Sequence, residues 1–482
     1  MFDFENIFVF DLANNHQGDV NHALKIIEEC SKVSKRNDVR VAFKFQFRQL
    51  NTFIHPEHQV VTNSKHLKRF KDTELSVADY KILYQAVKNA GMITICTPFD
   101  EESVEVIEEM KFDIVKVASC SSKDWPLLEK VALTNFPVIF STGGLELFDI
   151  DNLVSFFDHK GCDFAIMHCV SIYPTPDEDC QLNQIDVLRA RYPSKIIGWS
   201  THENPDDTLQ VAIAFSKGAR MFERHVGIET DQINLNHYSS TPEQLDKWIT
   251  SYKKTKLICG SKLRSINDLE TKSLDTLRRG VYAKKNLKKG EKLIKDNIYF
   301  AMPYYENQLN SGEWNENIVL KKDFKKDKFI ENDMVYFPEI ANSFLLKKAI
   351  HQVKGLLSEA NVSLSHNFEA EYSHHYGIKK FNQVGVVIIT VINRQYCKKI
   401  LVQLPNQSHP SHYHKLKEET FLIVHGSLNL IVDGKEKLLL PGDTCLVQPG
   451  IWHSFSTSEG CVFEEISTTH YNNDSVYKDK KI

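Results

Sequence analysis

The chain has 482 residues, 42% hydrophobic and 25% charged, with a net charge of -4 at pH 7. That length allows about three domains, and the composition is that of a globular protein able to bury real cores, which excludes a disordered chain. The charge leaves no basic footprint for nucleic acid, so small molecules are the expected partners, although local lysines still suit a phosphate.

Ten cysteines are scattered without a CxxC pair, which predicts reduced, mostly buried thiols rather than a disulfide framework. The start, MFDFENIFVFDLANN, has no basic region before its apolar run, and no apolar stretch approaches the ~20 residues of a membrane span. A cytoplasmic protein is expected.

From residue 1 to about 270, eight short apolar runs alternate with helical patterns. The runs are IFVFDLA, VRVAFKFQF, MITICTPF, FDIVKVAS, PVIFSTGG, DFAIMHCV, KIIGWSTH and RMFERHV; NHALKIIEECSKVSK and ESVEVIEEM are typical of the amphipathic segments between them. Eight βα units in about 250 residues predict a TIM (β/α)8 barrel, whose chemistry sits at the carboxyl ends of the strands. An open doubly wound sheet is the alternative, but no GxGxxG follows the first run.

Polar residues fall at those ends: Asp11 on run one, Lys44 and Gln46 on two, Thr97 on three, Lys116 and Ser119 on four, and Ser141 with Gly143 and Gly144 on five. Run six leads into a loop with His168, Ser171 and Tyr173; run seven ends in Ser200 and His202, run eight in Glu223 and His225. Lysine is almost never buried without a partner, so Lys44 and Lys116 require either an anionic ligand or structural pairing with Asp11 or Glu223. His202 and His225 lie at neighbouring strand ends and can converge on one ion, although a single histidine in such a place is also an ordinary hydrogen-bonding residue.

In order over about 240 residues, NNHQGD, KFQ, TPFD, KVAS, STGG, HCVSIYPTP, GWSTHE and ERH resemble the sialic acid synthase family. The resemblance implies condensation of phosphoenolpyruvate with an aldose, an N-acylated hexosamine, to a nonulosonic 2-keto sugar acid and phosphate. It places Lys44, Thr97, Lys116, Ser119, Ser141, Gly143 and Ser200 on phosphoenolpyruvate, with Gln46, Ser171 and Asn236 completing substrate binding. His202 and His225 would hold Mn2+ or Mg2+, and Asp11, Tyr173 and Glu223 would be catalytic. The chain departs from the family pattern at Asp11, where glutamate is usual, at Asn236 before His237, where aspartate is usual, and at Met302 before Pro303, where arginine is usual. All three lie where the acceptor sugar would be read.

Residues 278–340 contain an internal repeat, KKNLKKGEKLIKDNI (Lys284 to Ile298) against KKDFKKDKFIENDM (Lys321 to Met334). It suits a small two-fold β unit and is similar to the antifreeze-like (SAF) β-clip domain of sialic acid synthases, which implies a homodimer. Its lysine clusters read as solvated turns. Residues 341–360, ANSFLLKKAIHQVKGLLSEA, have helical spacing and predict a linking helix.

Residues 361–482 read as a small antiparallel barrel, with runs VGVVIITVI, KKILVQL, TFLIVHGSLNLIV and CVFEEIS. HPSHYHKLKEETFLIVHG followed by PGDTCLVQPGIWHSF resembles the two motifs of a cupin, which gives His412, His414, Glu419 and His453 as ligands of a second divalent ion (Zn2+, Mn2+, Fe2+ or Ni2+). Positions two apart in a strand share a face, so His412 and His414 can point at one ion. SHHYGIKKF, INRQYCKKILVQLP and FEEISTTH resemble D-lyxose isomerase-like cupins, with Glu465 or His470 as a base. Three readings follow. The cupin is a second catalytic module for sugars, or it only binds a carbohydrate while the barrel works, or it is the sole enzyme beside a degenerate barrel scaffold; a further alternative keeps the cupin as a sugar isomerase, epimerase or binding module with the barrel acting on a different carbonyl compound.

Overall fold

The first strand, Ile7–Asp11 (β1), shows why the first domain closes: Ile7 and Val9 belong to an apolar cluster inside the barrel, whereas Phe8 and Phe10 belong to the cluster under the helices. Both faces are covered, so each face needs its own apolar series. The same alternation runs through β2 (Arg40–Phe47), β3 (Ile93–Pro98), β4 (Ile114–Val117), β5 (Val138–Ser141), β6 (Phe164–Cys169), β7 (Ile197–Ser200) and β8 (Met221–Val226). Consecutive strands pair in parallel and β8 pairs back to β1, closing an eight-stranded TIM-type barrel. At Gly198 an added Cβ would lie 2.2 Å from Met167 Sδ and 2.8 Å from Met221 Cβ, so the filled interior requires glycine there.

The computed structural model describes residues 2–59, 64–261, 264–364 and 368–482. The chain divides into two compact units, Met1–Arg264 and Ser265–Ile482. In the first, helices start on side-chain caps: Asp19 accepts from the N–H groups of Asn21 and His22 to begin Val20–Asn37, and Asp100 accepts from that of Ser103 to begin Glu101–Met110. One short strand, β9 (Ser239–Ser240), follows β8 before the last barrel helix, Pro242–Cys259.

In the second unit the repeat forms two antiparallel pairs, β10 (Gly280–Ala283) with β11 (Ile298–Ala301), and β12 (Val319–Leu320) with β13 (Val335–Tyr336). Repeat-related residues are buried together: Leu287 with Phe324, Leu293 with Ile330, and Ile298 with Val335. The lysines of the two turns, Lys288, Lys289, Lys325 and Lys326, are exposed.

The helix Asn342–Glu359 does more than connect: Ala349, Val353 and Leu357 pack into the sheet that follows. That sheet is antiparallel, in the order β14 (Glu369–Ser373), β15 (Val386–Asn393), β16 (Tyr396–Gln403), β23 (Cys461–Thr468), β18 (Glu419–Gly426), β21 (Thr444–Val447). The second is β20 (Lys435–Leu439), β19 (Leu428–Val432), β22 (His453–Ser456), β17 (Ser408–His414), β24 (Ser475–Tyr477). Together they form the C-terminal cupin barrel. The run TFLIVHGSLNLIV is two strands rather than one, because Gly426 takes φ +75° and its Cβ position would lie 2.0 Å from the Gly460 carbonyl oxygen.

All ten cysteines are free, and no helix of the described residues is long and apolar enough to cross a membrane.

Candidate active site and a second candidate metal centre

Inward-facing residues change from apolar to polar along each barrel strand, and their carboxyl-end members meet in a cavity of about 580 Å³. Asp11, Lys44, Gln46, Thr97, Lys116, Ser119, Ser141, Ser171, Tyr173, Ser200, His202, Glu223, His225 and Asn236 all line it. Gly143 lies against it, donating its N–H to Ser119 Oγ at 3.1 Å. A Cβ there would stand 2.3 Å from Ser171 Oγ and 2.6 Å from Ser119 Oγ, so the backbone can approach these hydroxyls only as glycine.

The two lysines share one carboxylate. Lys44 Nζ lies 2.7 Å from Glu223 Oε1 and 3.0 Å from Asp11 Oδ2; Lys116 Nζ lies 3.3 Å from Glu223 Oε2 and donates to Ser141 Oγ at 2.7 Å. All four charged groups are buried. Burial alone would lower the Lys44 pKa, but Asp11 and Glu223 raise it above its ordinary value, whereas for Lys116 burial wins and lowers it. Burial would raise Glu223, but Lys116 and Lys44 hold it far below the usual carboxylate range. The charges of these four groups cancel. Yet Glu223 Oε2 and Thr97 Oγ1 are buried with no hydrogen-bond partner among the described residues, so the hydrogen bonding of the pocket is incomplete.

His202 Nδ1 lies 3.0 Å from the Val170 carbonyl oxygen. A carbonyl only accepts, so Nδ1 carries the proton and Nε2 keeps its lone pair. The His225 ring lies 5.4 Å from it, centre to centre, with His225 Nε2 3.4 Å from Asp11 Oδ2. Burial lowers both histidines, His202 to about 3, so at neutral pH both are the uncharged imidazoles that metals bind. The arrangement offers two neutral imidazoles, with Asp11 beside them, as candidate ligands for an ion. Tyr173 lies tilted over His202 with ring centres 4.1 Å apart, and Tyr238 stands 5.2 Å from both Tyr173 and His225.

Sequence reasoning missed Arg48, Arg69 and Tyr238, which also line this cavity. Arg48 was detectable, since it continues the period-two series Lys44, Gln46. Its guanidinium lies 4.1 Å from the Phe70 ring centre and 3.7 Å from that of Phe99, and burial lowers its pKa to about 10, still a cation at neutral pH. Arg69 lies on a helix, Lys65–Asp72, in the long segment after β2, where no pattern indicated a site.

In the cupin, His412, His414, Glu419 and His453 are buried and offer ligand atoms within 4.8 Å of one another, the one such group of three or more among the described residues. His412 Nδ1 faces the Pro410 carbonyl at 3.0 Å and His453 Nδ1 that of Ile451 at 3.1 Å, which leaves both Nε2 lone pairs for the centre. His453 Nε2 stands 2.8 Å from Glu419 Oε1, and neither atom has a hydrogen-bond partner. Two acceptor lone pairs that close repel unless a cation lies between them, so the donor set fits a divalent ion. Lys417 Nζ lies 2.6 Å from Glu419 Oε2 and 2.8 Å from Glu465 Oε1; burial would raise Glu419, but the Lys417 ammonium holds it well below the carboxylate range. His470 lines the same cavity with a buried, unpartnered Nδ1, and burial lowers its pKa to about 4.

The model of the NeuB family matches residues 35–264, and that of a cupin domain residues 400–463. An uncharacterized protein of Methanocaldococcus jannaschii is 31% identical over 330 residues, covering 68% of this chain and 92% of that protein. N,N'-diacetyllegionaminic acid synthase of Campylobacter jejuni is 25% identical over 342 residues, 68% of this chain and 99% of its own. A crystal structure assigned to spore coat polysaccharide biosynthesis protein E of Chromobacterium violaceum superposes with a TM-score of 0.66 at 40% identity, covering 69% of this chain and all of that one.

Proposed function

The chain belongs to the NeuB family, and from that premise we propose that its barrel condenses phosphoenolpyruvate with an N-acylhexosamine-like aldose to a nonulosonic acid and phosphate. The observation that carries this reading is the buried lysine pair sharing Glu223 opposite two neutral imidazoles. With the four buried charges in balance, Arg48, Arg69 and a divalent ion supply the positive surplus that a multiply charged phosphate ester requires.

A bound Mn2+ or Mg2+ at His202 and His225 would supply Lewis acidity to the aldehyde oxygen. Lys44 and Lys116 hold phosphoenolpyruvate, helped by the hydroxyls of Thr97, Ser119, Ser141, Ser171 and Ser200 and by the Gly143 N–H. As the anion takes over the lysines, Glu223 loses the charges that keep its pKa low and becomes able to accept a proton. Tyr173 covers the site, while Asp11, Gln46 and Asn236 orient the sugar. The methylene carbon of phosphoenolpyruvate attacks the aldehyde carbon, water adds at the adjacent carbon, and phosphate leaves. In the same reading the enzyme is a homodimer, as the likeness of its repeat to antifreeze-like domains implies, and it works in the cytoplasm, where phosphoenolpyruvate is made.

Lys116→Ala is expected to raise the KM for phosphoenolpyruvate at least ~10-fold with little change for the sugar, since it removes a charge-assisted contact from the anion alone. Equal changes in both Michaelis constants would make Lys116 a structural residue.

The cupin, in this proposal, is a separate metal site that acts on a sugar, by isomerising or epimerising it. Of the two bases considered, Glu465 is held by Lys417, and His470 is left neutral and unpartnered to move a proton. A His412→Ala, His414→Ala double variant should lose one equivalent of bound metal while still releasing phosphate from phosphoenolpyruvate. Metal analysis and phosphate release check this, and joint loss of both would tie the two sites together. Absence of sugar interconversion by the wild type across a broad panel would leave the cupin a binding module.

A further inference from the structure

The cupin cavity, about 440 Å³, contains a cation that the metal ligands do not use. Lys399 projects from β16, and its side chain is 5% exposed. Its nearest carboxylate oxygen, Glu465 Oε1, is 3.9 Å away, and Nζ has no hydrogen-bond partner among the described residues. Glu465 is already engaged by Lys417 at 2.8 Å and by Ser467 Oγ at 3.2 Å. A buried ammonium without an acceptor is costly, and such groups in natural proteins are paired or have a ligand. Burial accordingly lowers the Lys399 pKa, with Glu465 only partly opposing it.

The placement is specific. Lys399 is in register with Glu465 on β23, which is in register with Phe421 on β18, two residues beyond the metal ligand Glu419. All face inward, so Lys399 and the metal centre look into one space. Lys399 and Lys417 against Glu419 and Glu465 sum to zero; with Asp474 buried 3.6 Å from His414 Nδ1, a divalent ion leaves the enclosed part of the cavity with an excess of one positive charge, and Glu371 stands exposed at its rim. An excess of that kind selects an anion over a neutral ligand.

Resting on the reading that this metal site handles a sugar, we propose that its ligand is an anionic sugar whose carboxylate or phosphate pairs with Lys399, and not the neutral aldose. A carboxylate places the cupin after the condensation that creates one; a phosphate places it on a phosphorylated precursor.

The test is calorimetric titration of the metal-loaded full-length protein with N-acetylneuraminate, N-acetylmannosamine 6-phosphate and neutral N-acetylmannosamine. Heats from the His412→Ala, His414→Ala variant are subtracted to isolate the cupin. One of the two anions is expected to bind at least ~10-fold tighter than the neutral sugar. That advantage should vanish in Lys399→Met and in Lys399→Gln, which keeps a hydrogen-bond donor, and return in Lys399→Arg, with bound metal unchanged throughout. Which anion wins decides between product and precursor. Neutral sugar binding as tightly as both anions, or full anion affinity in Lys399→Met, overturns the inference while leaving a sugar-handling cupin intact. No cupin-dependent heat with any of the three overturns both.

Discussion

Glu223→Ala is expected to abolish condensation and to destabilise the barrel by about 3–5 kcal/mol, the range for removing one member of a buried ionic cluster. The carboxylate it removes is the shared partner of Lys44 at 2.7 Å and Lys116 at 3.3 Å. Lys44 would retain Asp11, but Lys116 would keep only the Ser141 hydroxyl, an uncharged partner in a buried site. The loss is therefore dominated by an uncompensated ammonium, not by the ion pair's own worth. Glu223→Gln, similar in shape, should lose activity to a comparable extent and less stability, because its amide oxygen still accepts from one lysine. Urea unfolding followed by tryptophan fluorescence is the measurement, with Trp199 and Trp248 buried in the barrel. Destabilisation below ~1 kcal/mol in Glu223→Ala would show that the two lysines do not depend on this carboxylate.

His202→Ala and His225→Ala should each lower condensation at least ~10³-fold, since losing the Lewis acid removes several kcal/mol of charge stabilisation from the transition state. Both imidazoles are neutral at working pH, and His202 Nδ1 is bound to the Val170 carbonyl, so Nε2 is presented without protonation cost. Neither substitution removes a buried charge, so stability should change far less than in Glu223→Ala. The check is the phosphate release rate with Mn2+ and after chelation, alongside each variant. Activity in chelated buffer equal to that with Mn2+ would remove the metal assignment.

The strand order of the barrel was legible because each run is largely apolar on both faces, and because its inward-facing polar residues gather toward the carboxyl end. The repeat was legible for a similar reason: buried positions such as Leu287 and Phe324 recur at equal places in both halves. Where local pattern carried no periodic signal, the reading failed. Arg69, on the helix Lys65–Asp72, and Tyr238, in a loop, reach the cavity from segments between strands whose path depends on the whole barrel, and the helix Asn342–Glu359 gave no sign that it would pack on the cupin sheet.

By itself the sequence indicated the two barrels through its strand patterning, and its resemblance to cupin motifs singled out His412, His414, Glu419 and His453, which the structure brings together. Whether Lys44 and Lys116 pair with carboxylates was open until closure brought β8 beside β1, putting Glu223 against lysines far away in the chain. The same holds for Lys399, which is one more polar residue in a strand until the sheet register sets it behind an already occupied Glu465. Charge balance in a buried site depends on distances between strands, and only the tertiary structure sets those distances.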